Sequence, residues 1–160
     1  MSTSVKSLCL AAAFFSCSLA GMAQELSVAA PAYKTIADIE DPVALIGMSI
    51  GDVLAMFGPP RVVYASRGSA EWQDDVVFEY AGIDFYVYRD RVWQVSPSRT
   101  DKIRLGDPQL TVVMVYGEAA IDKGSYFITG VPERAWKIEI RYNIDAKGKV
   151  SAIYIYRADY

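Results

Sequence analysis

Between Lys137 and Tyr142 charged and apolar residues take strict turns: Ile138, Ile140 and Tyr142 fall on one side, Lys137, Glu139 and Arg141 on the other. A period of two is the mark of a β-strand with one dry face and one wet face. The same alternation runs through "DVVFEYAGIDFYVYRDRVWQV", interrupted at Ala81-Gly82 and Arg89-Asp90. It returns in "KVSAIYIYRA", after a loop at Asp145-Ala146-Lys147-Gly148. Short breaks between alternating runs predict tight turns and an antiparallel meander. "RVVYAS" and "SYFITG" read as further strands.

Two stretches switch to helical spacing. In the first, Ile50, Val53, Leu54 and Phe57 form one apolar face. Ser49 is placed as N-cap with Asp52 three residues on, a capping box. Gly58 can take a left-handed C′ conformation, and Pro59 and Pro60 forbid continuation. In the second stretch Asp107 is the expected N-cap and Pro108 the first helical residue. Val112, Val113 and Tyr116 then occupy the offsets of Val53, Leu54 and Phe57, and Gly117 closes the helix. Gly106 and Gly117 each stand 59 positions after Gly47 and Gly58. The predicted fold class is therefore α+β, as two tandem units, 42–99 and 100–160. Each unit is a short helical segment followed by a three- to four-stranded antiparallel meander. A unit of roughly 55 residues is marginal alone, so two units joined at their sheets would share a core.

The first residues carry Lys6, then the apolar run "LCLAAAFFSCSLAGMA". This reads as an export signal over 1–23, cut after Ala23, with Gly21 and Ala23 at the small-residue positions. A second reading is lipid attachment at Cys17, and a third is a retained membrane anchor. Residues 24–41 are weakly periodic and read as a linker. The expected location is the periplasm or the periplasmic face of the outer membrane.

Composition narrows the chemistry. The chain of 160 residues is 52% hydrophobic, with net charge −3, so it has a core to bury and no basic footprint for nucleic acid. It contains no histidine, the commonest general base near neutral pH and the commonest metal ligand. Its two cysteines, Cys9 and Cys17, both lie in the signal. A processed chain would then hold no disulfide.

The first helix carries Gly47, Met48, Ser49, Val53, Leu54, Phe57, Gly58 and Pro59. This pattern resembles the helix signature of the SmpA/OmlA lipoproteins, the BamE-like component of the outer-membrane β-barrel assembly machine. A tandem pair of such units resembles the β-lactamase inhibitor protein. The resemblance implies a non-catalytic binding module of the bacterial cell envelope, and it places no partner-contacting residue in this chain.

Candidate catalytic groups are few. Glu71, Asp74, Asp75, Glu79 and Asp84 are the carboxylates near one another in sequence, and Asp74-Asp75 would point apart on a strand. Ser49, Ser66, Ser69 and Ser125 lack an activating base motif. Arg67-Gly68-Ser69 is too short for a phosphate loop. Asp122 and Asp145 read as loop residues rather than cation ligands. No catalytic residue, metal site or cofactor is expected.

Aromatic surface is the stronger signal. Tyr86 and Tyr88 share the strand face opposite Phe85 and Val87, and Tyr154 and Tyr156 the face opposite Ile153 and Ile155. With Trp93, Arg89, Arg91, Arg141 and Arg157 nearby in sequence, they form a candidate Tyr/Arg-rich binding face of the kind enriched at protein interfaces. Ordinary strand packing and the junction between the two units are the other roles for these tyrosines. The function expected first is an exported protein-binding module, an envelope assembly factor whose partner is another envelope or secreted protein. The alternative is a secreted inhibitor of an extracellular enzyme, and a third reading is a small-molecule binder or enzyme.

Overall fold

A computed structural model describes residues 32–67 and 75–159. The expected export signal, Cys17, Ser69, Glu71 and Asp74 lie outside the described residues. Helix α1 (Ile50–Phe57) starts as its sequence dictates. The Ser49 hydroxyl accepts the Asp52 N–H at 3.1 Å, and the Asp52 carboxylate accepts the Ser49 N–H at 3.3 Å. Two of the orphan donors at the helix start are thus satisfied. The helix ends at Gly58, whose φ of +75° and ψ of −162° belong to glycine-only backbone. Helix α2 (Gln109–Tyr116) begins one residue later than expected. Asp107 does not cap it; its carboxylate accepts the Arg104 N–H at 2.8 Å, and Pro108 is the N-cap with no side-chain bond.

The strands are β1 (Val62–Ser66), β2 (Asp75–Tyr80), β3 (Ile83–Tyr88), β4 (Arg91–Pro97), β5 (Ile121–Asp122), β6 (Tyr126–Val131), β7 (Ile138–Ile144) and β8 (Val150–Arg157). They form one antiparallel sheet in the order β1-β2-β3-β4-β8-β7-β6-β5. This corrects the expectation of two tandem α+β units. Among the described residues the architecture is a single eight-stranded sheet carrying two α-helices of eight residues each. The strands of both halves run on through a seam where β4 meets β8. Only Gln94 with Tyr156 and Val95 with Ile155 are in register there. By contrast β7 and β8 pair from Ile138–Arg157 to Ile144–Val150.

The two helices are approached by the same backbone arrangement. Gly47 N–H donates to Val92 O at 2.8 Å and Val92 N–H to Met48 O at 2.9 Å. Gly106 N–H donates to Val150 O, and Val150 N–H to Asp107 O, both at 2.8 Å. Both helices press on one face of the sheet. Under α1, Phe57, Tyr80 and Phe85 meet edge-on or tilted at 5.1–5.6 Å, and Tyr80 donates to Gly58 O at 2.8 Å. Under α2, the Tyr116 and Tyr142 hydroxyls lie 2.8 Å apart. Val95, Ile155, Ile140, Ile153, Val53 and Val112 complete a continuous core.

Residues 32–41, read above as linker, are packed against this body. Lys34 N–H donates to Met56 O at 2.9 Å, and the Arg99 guanidinium donates to Ala37 O at 2.8 Å. Asp41 meets Arg134 at 2.6 Å. No helix among the described residues is long and apolar enough to cross a membrane.

Candidate functional site

The face opposite the helices is where the tyrosines lie. Registered pairs put Val77 with Tyr86, Tyr86 with Gln94, Gln94 with Tyr156, and Arg141 with Tyr154 on that face. A β-bulge after Tyr86 shifts the register against β4, so that Trp93 lines the same basin as Gln94, although alternation sends neighbours to opposite faces. The result is an open basin of about 540 Å³ centred on the seam. Tyr86, Trp93 and Gln94 line one side and Arg141, Asn143, Tyr154 and Tyr156 the other. Val77 is fully buried yet lies outside the main core, on this face, between its register neighbours Tyr64 and Tyr86.

The side chains of the basin are held. The Trp93 indole N–H donates to Asp75 Oδ1 at 2.8 Å. Arg141 stacks over the Tyr126 ring at 3.9 Å and donates from Nε to Asn143 Oδ1 at 2.7 Å. Tyr156 donates to Glu139 Oε2 at 3.1 Å, while Lys137 reaches the other oxygen at 2.9 Å. The hydrogen bond from Lys137, then that from Tyr156, holds the Glu139 carboxyl below its usual range. Burial, followed by that bond to Glu139, pushes the Tyr156 phenol up to about 12. Burial, then the neighbouring Tyr64 and Tyr154, does the same to Tyr86, also to about 12. These phenols are neutral donors at physiological pH, and each ring presents apolar area with a polar tip.

The candidate residues divide into two groups. Tyr86, Trp93, Arg141, Tyr154 and Tyr156 share the basin. Tyr88, Arg91 and Arg157 instead line a second pocket of about 250 Å³ with Gly47, Trp93 and Trp136. Arg157 pairs in register with Ile138, off the tyrosine face, and stacks over Trp136 at 4.7 Å. Arg89 sits at the turn, 5.1 Å above the Tyr88 ring. Sequence reasoning missed Trp136, Gln94 and Asn143. Alternation could have found Asn143, two residues after Arg141; nothing local announces Trp136, which reaches the pocket from a loop.

The remaining carboxylates have structural partners or face one another. Asp75 bonds Trp93, Asp122 accepts the Gly124 N–H at 2.7 Å, and Asp145 accepts the Lys147 and Lys149 N–H groups at 2.8 and 2.9 Å. Glu79 and Asp84 are register partners lining a polar cleft of about 360 Å³. Burial, then Glu79, raises the Asp84 pKa. Among the described residues no three His, Cys, Asp or Glu side chains gather as metal ligands.

No protein-family model matches the chain, and no curated protein matches it. Among solved structures, it is similar to an extracellular protein containing a SCP domain from Bacillus anthracis str. Ames, with a TM-score of 0.53 and 12% identity. The match covers 82% of this chain and 49% of that one, so the chain spans about half its length. At that identity the likeness is one of fold. The resemblance to the SmpA/OmlA lipoproteins and the β-lactamase inhibitor protein is therefore corrected. Its few matching letters describe a capped helix ending in Gly-Pro, which local physics demands of many unrelated chains, and that helix sits here on a large single sheet.

Proposed function

We propose that this chain is an exported, non-catalytic recognition module that binds another protein on its open sheet face. The observation that carries the reading is the basin itself. Four aromatic rings from three strands converge with Arg141 on the face the helices leave uncovered: Tyr86, Tyr154 and Tyr156 are placed by strand register, and Trp93 and Tyr156 are each held by a hydrogen bond. Pre-ordered Tyr, Trp and Arg side chains lose little entropy on binding and make most interface hot spots. Support for export comes from the Lys6-led apolar run and from the extracellular character of the structural neighbour. Support for a non-catalytic role comes from the structural commitments of Asp75, Glu139 and Asp145.

The test is affinity capture from the host's extracellular and envelope fractions, using the native protein and the Tyr86→Ala/Tyr154→Ala/Tyr156→Ala variant. The native face is expected to retain a partner that the folded variant loses. Equal retrieval by both would overturn the reading.

A further inference from the structure

The second pocket has a chemistry of its own. Its walls are the rings of Tyr88, Trp93 and Trp136, and its charges are the guanidiniums of Arg91 and Arg157. Trp136 is an exposed side chain set in a fixed place. Arg157 stacks on its ring at 4.7 Å, and Gly47 lies so close that a Cβ there would stand 2.5 Å from two ring carbons. Gly47 also has φ of +90°, so its backbone shape and its missing side chain both serve to seat the indole. Arg91 is oriented toward the same glycine, donating to Gly47 O at 3.4 Å. Among the described residues, Asp159 accepts from Arg157 Nε at 3.2 Å and from Nη2 at 3.1 Å, Asp52 belongs to the Ser49 capping box, and Asp90 accepts the Ile50 N–H at 3.3 Å. None of these three lines the pocket.

We infer that this pocket is a binding site for a small aromatic carboxylate. The ring would lie among Tyr88, Trp93 and Trp136, and the carboxylate would face Arg91 and Arg157. Aromatic walls supply stacking and apolar burial. Arg91 supplies charge-assisted hydrogen bonds, which are about twice as strong as neutral ones, and Arg157, whose Nε and one terminal nitrogen serve Asp159, adds positive charge beside them. A volume of about 250 Å³ suits a single ring with a short acid arm. The inference does not rest on the protein-binding reading. Tyr86, Tyr154 and Tyr156 take no part in it, and Trp93 is the residue lining both sites.

Phenylacetate is the probe, with phenylacetamide as its uncharged isostere and phenethylamine as its cationic counterpart, all titrated calorimetrically into the full chain. Phenylacetate is expected to bind saturably, about tenfold or more tighter than the amide, with the amine weakest. Arg91→Gln/Arg157→Gln should abolish the preference for the acid, and Trp136→Ala should weaken acid and amide together. The Tyr154→Ala/Tyr156→Ala variant should bind phenylacetate as the native protein does. Where removal of Arg157 unfolds the chain, as read by circular dichroism, Arg91→Gln alone decides, and it should still narrow the acid-to-amide ratio. The inference is overturned if acid and amide bind alike, if none of the probes binds, or if a folded arginine variant keeps the full preference.

Discussion

Trp93 and Asp75 are joined across an intervening strand: the indole of β4 reaches over β3 and donates to the carboxylate of β2 at 2.8 Å. That bond fixes the ring shared by the two candidate sites. Asp75→Ala should therefore cost roughly 1.5–3 kcal/mol, the usual range for a hydrogen bond to a charged group, and should loosen the indole. Thermal denaturation gives the first figure. In a Trp72→Phe/Trp136→Phe background, a red-shifted Trp93 emission gives the second, and unchanged emission would show that packing alone holds the ring.

The two helices differ in how they begin, and stability should register it. Ser49→Ala removes a side-chain cap and is expected to cost about 1 kcal/mol. Asp107→Ala removes no cap from α2, because its carboxylate serves the Arg104 N–H in the preceding turn. Urea melts of both variants, joined to amide exchange, should show the first α1 amides losing protection in Ser49→Ala. In Asp107→Ala the loss should centre on Arg104.

Asp84 has a raised pKa, through burial and then Glu79. A carboxyl raised in the folded state binds its proton more tightly there than in the unfolded chain. Its contribution is fully present below the unfolded value of 3.8 and is lost as pH rises through the folded value. At neutral pH the charged group is a net cost. Asp84→Asn should thus raise the melting temperature near neutrality and give no gain in strong acid. A gain that is equal at both ends of the pH range would refute the assignment.

The buried Tyr142 and the half-buried Tyr86, Tyr116 and Tyr156 set an alkaline limit. Burial pushes Tyr142 and Tyr116 upward, and Tyr86 and Tyr156 rise to about 12, against an ordinary value of 10.0. For a raised pKa, stability is complete below the unfolded value and is lost as pH climbs past it toward the folded one. Unfolding in base should therefore begin above pH 10 and accompany phenolate formation. Ultraviolet absorbance and circular dichroism followed together should change as one transition. Tyr142→Phe should move that transition to higher pH, after correction for the lost Tyr116 hydrogen bond.

Much of the local structure was legible in the sequence. Period-two alternation located the meander of β2 to β4 and strands β7 and β8, and the Ser49–Asp52 pair located the start of α1, because these features depend on residues within a few positions of one another. What was not legible depends on distant ones. The pairing of Gln94 with Tyr156 joins segments far apart in the chain, and no spacing within either strand encodes it. The bulge beside Trp93 hid the fact that Trp93 and Gln94 line one basin, since alternation assigns neighbours to opposite sides. The same alternation did indicate that Arg157 would leave the face of Tyr154 and Tyr156; the grouping by nearness in sequence overrode it. Trp136 escaped because its position follows from the Gly47 backbone, not from its own neighbours.

The order of the strands carries a consequence for synthesis. Of the described strands β8 is made last, yet it lies in the middle of the sheet and is the bridge between β4 and β7. A nascent chain that has not delivered Val150–Arg157 holds two separate strand sets with no means of closing. Closure of the sheet therefore waits on β8, and until it is in place the earlier strands can pair only within their own set.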